Sequence, residues 1–268
     1  MQRLDQLIGR ELAPEALAQD LCSWVGRKGH RVVGAVLVTC ADESEREGGE
    51  AFQRGVVERL LPRLKTGVIA PFRICNLGSR YEPGALTVAE SHFALAGEGT
   101  KLMLVKVSSH VAAGEHEGVL GRLRRYQGSC RACGALHALL DGRDDLPFLQ
   151  DLRQSFATGD TDRLGVLAGG GAVDDSLRPL VAAVCNAQLQ AGRALDEARR
   201  LTPRSPTDWL VLSTVVVNRR GRDGELLCGY AWMPDGAQEP EAVALGDDPA
   251  GIRLTSTESR LVLERAQS

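Results

Sequence analysis

Val32-Val33-Gly34-Ala35-Val36-Leu37-Val38 is apolar almost without a break and rich in β-branched residues. A run of this kind reads as a strand buried on both faces, as parallel sheets require. Just past it come Cys40 and Asp42, in an acidic, glycine-containing loop over 41–49 that leads to a helix expected over 51–61 and stopped by Pro62. Phe72-Arg73-Ile74-Cys75 forms a short second strand, a turn-rich stretch runs through Gly84, and a helical pattern covers 86–96. A third strand is expected over 101–108, with His110 past its end. Strand, helix, strand, helix, strand implies a parallel sheet flanked by helices.

Upstream, Ala16, Leu17, Leu21 and Trp24 recur at helical spacing in a helix over 14–25. Downstream the chain is mostly polar from Gly114 to Arg131, then helical patterns cover 132–140, 147–156 and 177–201. Strands over 209–217 and 226–232 enclose the turn at 218–224, a hairpin expected on a sheet edge. The expectation is one α/β domain over 1–268: a helical segment at 1–30, a core at 31–141 that carries the metal site, and further helices and the hairpin at 142–268.

The chain has 268 residues, 43% of them hydrophobic, and a formal charge of −3, which gives no electrostatic reason to expect nucleic acid or an anionic membrane as partner. No run approaches the roughly 18 apolar residues needed to span a bilayer, and the N-terminus shows no secretory pattern. A cytoplasmic location is expected, and seven scattered cysteines then suit thiols or metal ligands better than disulfides.

Cys40 and His110 both follow strands, and Cys133 opens a helical pattern. Open α/β sheets bind ligands outside the carboxyl ends of their strands, where the strand order reverses. A Cys/His/Cys set there suits a catalytic Zn2+, with three protein ligands and one open position. The helix dipole behind Cys133 favours its thiolate. Two thiolates cancel the ion's charge, so the bound water needs a helper, and Asp42 is placed to accept its hydrogen bond. Arg46 and Arg80 are the nearest cations able to keep that carboxylate ionised.

Cys130 and Cys133 form a C-x-x-C, which leaves Cys130 as the rival third ligand. The spacing also occurs in redox sites, but no thioredoxin-like strand directly precedes it. His92 is a candidate proton shuttle, less so His137. His30 and His116 read as surface loop residues, although Glu115, His116 and Glu117 could form a chance metal site. Cys22, Cys75, Cys185 and Cys228 read as core. Gly169-Gly170-Gly171 lacks the Gly-Lys-Ser/Thr of a phosphate loop. Arg199-Arg200 and Arg219-Arg220 read as solvated pairs.

Taken in order, these segments resemble the limiting-CO2-inducible protein B family, whose fold and zinc site are similar to those of β-carbonic anhydrases. The resemblance runs through Cys40 with Asp42 and Glu43, Ser91-His92, His110-Val111, Gly118 to Arg122, and Ala132-Cys133-Gly134-Ala135, and 209–218 looks like that family's late strand. It implies a β-carbonic-anhydrase-like fold, a central mostly parallel sheet with a C-terminal antiparallel hairpin. It also implies zinc on Cys40, His110 and Cys133, reversible hydration of CO2 to bicarbonate, and a homodimer to which the helix bearing Trp24 could contribute. The chain departs from the family at Phe93, where a second histidine is usual, at the shorter Asn76 to Tyr81, and at Ser108-Ser109, where a small residue and proline are usual. These departures fall on the CO2 pocket rather than the ligands. The alternatives are a catalytically silent homologue that keeps zinc for structure or binds an inorganic anion, and a different zinc hydrolase.

Overall fold

The computed structural model describes residues 10–11, 18–19, 21–23, 28–30, 32–42, 53–59, 71–93, 100–112, 123–125, 128–130, 133–143, 145–157, 178–204, 206–218 and 224–240. Strands are β1 (Arg10–Glu11), β2 (Val32–Cys40), β3 (Phe72–Asn76), β4 (Lys101–Ala112), β5 (Leu123–Arg125), β6 (Gly128–Cys130), β7 (Thr207–Asn218) and β8 (Gly224–Met233). Helices are α1 (Ala85–His92), α2 (Gly134–Leu140), α3 (Pro147–Ala157) and α4 (Arg178–Leu201). Six strands form one sheet in the order β1-β8-β7-β4-β2-β3, and β5 and β6 pair separately. Within the main sheet β3, β2, β4 and β7 run parallel, while β8 and β1 are antiparallel additions. The mostly parallel sheet with flanking helices and a C-terminal antiparallel hairpin is therefore borne out.

The central strands are apolar because both of their faces are covered. Every side chain of β4 and β7 is buried. On one face Val36, Val38, Val105, Val107 and Val211 pack with Leu86 of α1 and with Ala191, Ala194 and Leu195 of α4. On the other, Val33, Ala35, Leu37, Leu104 and Leu210 pack with Leu21 and Val56. Gly34 lies at a close approach: a Cβ there would sit 2.5 Å from Met103 Sδ and 2.8 Å from Phe93 Cγ.

Several expectations change. His110 lies inside β4, not beyond it, because β7 offers partners for all of Lys101 to Ala112 and the ladder continues past Ser108. The hairpin strand β7 is interior, between β4 and β8, rather than at an edge. The polar stretch before Cys133 contains the β5–β6 pair, whose three-residue strands carry too little pattern to read. The helix expected over 86–96 is found as Ala85–His92. In the helix expected over 14–25, residues 18–19 and 21–23 are helical, and in that over 51–61 a π-helical turn covers Gln53–Val57. Cys75 is exposed, since β3 is an edge strand with one face open. His30 is buried, not a surface residue, and pairs with Asp208 at 2.5 Å. Arg199 binds Glu239 at 2.7 Å. His116, Arg219-Arg220 and the triple glycine lie outside the described residues. No helix among the described residues is long and apolar enough to cross a membrane.

Candidate metal centre

The chain leaves β2 for β3 on one side and later places β4 on the other, so the order reverses between β2 and β4. Connections running to opposite sides open a crevice at the carboxyl ends of the two strands. Cys40 is the last residue of β2, His110 lies near the end of β4, and Cys133 directly precedes α2. One donor atom from each of these three buried residues falls within 4.8 Å of the others.

The register explains how they meet. Val38 pairs with Val107, so Cys40 shares a face with Ser109 and Val111, whereas His110 belongs to the opposite face with Leu104 and Lys106. The two converge because β2 stops at Cys40 and leaves the space beyond its end open to both faces. Cys133 reaches the same space from the helix side, its sulfur 3.5 Å from that of Cys40 across 93 residues of sequence.

The donor set fits a tetrahedral divalent ion. Two thiolates about 2.3 Å from such an ion lie roughly 3.8 Å apart, close to the separation seen. The hydrogen bond from Cys133, with His110 and the Asp42 N–H, draws the Cys40 thiol down to about 4 against the opposing effect of burial. Cys133 moves the other way, pushed well above its usual range by Cys40 and by burial. The pair thus yields one proton easily and holds the second, which a cation would displace. His110 Nδ1 donates to Asn218 Oδ1 at 3.1 Å, which leaves Nε2 as the ring's metal donor. Asp42 Oδ2 lies 3.9 Å from that Nε2, on the exposed side of the group. Cys40 and Cys133 belong to one buried apolar cluster with Val111, Ala135, Leu136 and Leu139.

Arg80 and His92 are engaged elsewhere. Arg80 binds Glu82 at 2.7 Å and Asp151 at 2.6 Å, so its charge is directed to those carboxylates instead of to Asp42. His92 is exposed at the end of α1, where Nδ1 donates to the Val88 carbonyl and the ring lies 5.3 Å from Phe72. Phe72 pairs with Val36, four residues before Cys40 and so about 13 Å down the sheet at 3.3 Å per residue. Arg46 lies outside the described residues. Cys130 ends β6 opposite Leu123 in the separate two-stranded pair. His137 is buried in α2.

No protein-family model matches the chain, and no curated protein does. Solved structures do. The homologue PtLCIB4 of the limiting CO2-inducible protein LCIB superposes with a TM-score of 0.60 at 15% identity, over 87% of this chain and 94% of that one. A histidine-to-alanine mutant of the same homologue gives 0.61 at 14% identity over 89% and 94%. LCIB itself gives 0.56 at 12% identity over 87% and 94%. The chain has the limiting-CO2-inducible protein B fold. With that fold established, the departures acquire places. Phe93 is a core residue against Gly34, and Ser108-Ser109 lie within β4 as buried strand positions. Asn218 went unrecognised among the candidates because it opens a polar, turn-like run. The available signal was an amide closing Val215-Val216-Val217, where a strand ends.

Proposed function

We propose that the chain is a zinc-dependent carbonic anhydrase, hydrating CO2 reversibly to bicarbonate, and that 1–268 acts as one domain in a cytoplasmic homodimer. The observation that carries this is the convergence of Cys40, His110 and Cys133 at the switch point, with Asp42 at the open side. The likeness to LCIB and PtLCIB4, named for CO2-limited induction, supports the same direction. When bound there, zinc supplies a Lewis acid that makes water acidic enough to react near neutral pH. Cys40, His110 and Cys133 would hold the ion, and the two sulfurs would lower its net charge. Asp42 would accept a hydrogen bond from the reacting water and so orient it. In this reading, the apolar residues Val111, Ala135 and Leu136 would adjoin the CO2 molecule and limit bulk water.

The test combines elemental analysis with stopped-flow CO2 hydration. Wild-type protein should carry one zinc per chain, and Asp42→Asn should keep that zinc while hydration falls about 100-fold or more, the scale of a positioned acid–base group. Zinc far below one per chain, or an active Asp42→Asn variant, overturns the proposal. A catalytically silent zinc protein is the second reading, favoured by one observation: Arg80 is committed to Glu82 and Asp151 instead of to Asp42. Full zinc loading with no hydration between pH 6 and pH 9 selects it.

A further inference from the structure

We infer that Asn218 is the positioning residue for the metal-binding histidine, an inference that rests on the metal reading above. His110 lies on the opposite face of the sheet from Cys40, so its ring must be directed along the strand toward the carboxyl ends if Nε2 is to meet the two sulfurs. Asn218 is built to do this. His110 pairs with Val216 across β4 and β7, so Asn218, two residues on, lies on the same face and one side-chain repeat nearer the strand ends. Its Oδ1 accepts from His110 Nδ1 at 3.1 Å, and both residues are fully buried.

A carboxamide oxygen can only accept, so this bond requires the proton on Nδ1 and leaves the Nε2 lone pair for a cation. Without the acceptor, a buried Nδ1–H would have to seek another partner, and ring rotation or the other tautomer would remove Nε2 from the site. The orienting partners of metal-bound histidines characteristically change metal affinity by 10–100-fold when removed.

The experiment uses full-length protein and Co2+ as the probe, following both affinity and the visible absorption of the tetrahedral ion. Asn218→Leu keeps the branched shape and loses the acceptor, and its Co2+ affinity should fall about 10–100-fold with a changed absorption band. Asn218→Asp keeps an acceptor and should bind Co2+ at least as tightly as wild type. A purely structural asparagine would not give this split. Asn218→Leu within about twofold of wild type, or Asn218→Asp as weak as Asn218→Leu, overturns the inference while the metal reading stands. If wild-type protein takes up neither Co2+ nor Zn2+, the metal reading fails and this inference fails with it.

Discussion

Cys133 and Cys130 are three residues apart and chemically identical, yet they belong to different local structures. Cys133 precedes α2 with its sulfur against that of Cys40, and Cys130 closes a two-stranded pair apart from the main sheet. Cys133→Ser should therefore strip the metal and Cys130→Ser should leave it, as measured by zinc content after gel filtration. The opposite result would assign the ligand to Cys130. Gly34 is held at a close approach. Alanine there meets Met103 and Phe93 in a packed layer, and overpacking of this kind costs about 1–3 kcal/mol. A thermal or urea midpoint equal to that of wild type would count against the close approach. The three residues brought together at the strand ends were legible because cysteine and histidine at strand and helix ends are chemically conspicuous. Asn218 and His30 were not, since their roles depend on partners 108 and 178 residues away.

Between elements, one carboxylate adds hydrogen bonds to the apolar packing of α1 on α4. Glu197 of α4 accepts from the Gly84 N–H at 2.8 Å, the Thr87 N–H at 3.0 Å, the Thr87 hydroxyl at 2.9 Å and the Tyr81 hydroxyl at 2.6 Å. It thus caps the N-terminus of α1 from another helix, where no side chain of α1's own N-cap, Gly84, can do so. Burial pushes the Glu197 carboxyl upward, but the donated hydrogen bonds outweigh it and hold the group below its usual range. A depressed carboxyl contributes stability that is fully present above the unfolded value near 4.3 and is lost as pH falls through the lower folded value. Glu197→Gln should cost about 1.5–3 kcal/mol at pH 7, with the gap to wild type narrowing below about pH 4. A gap independent of pH would mean the charge contributes nothing. β2 and β7 could be read from β-branched runs. The last residues of β4 could not, because their polar Ser-Ser-His sequence is strand only through pairing with β7.

For the molecule as a whole, β3 ends the sheet on one side and the two-residue β1 on the other. Light scattering at micromolar concentration should report twice the 28.8 kDa chain mass. A monomer mass would refute the homodimer. The layered α/β plan followed from the alternation of strands and helices, whereas the place of β7 inside the sheet had no local sign. Cys40 and His110 lie on opposite faces of the sheet. A single-residue slip of β4 against β2 would exchange inward and outward positions, move His110 to the face of Cys40, and break its alignment with Asn218. The mis-threaded chain could keep most of its hydrogen bonds and much of its apolar burial, yet it could not assemble this donor set. If the proposed site takes up a metal, that uptake would report strand register: during refolding it should appear only once β2, β4 and β7 have locked into their native alignment.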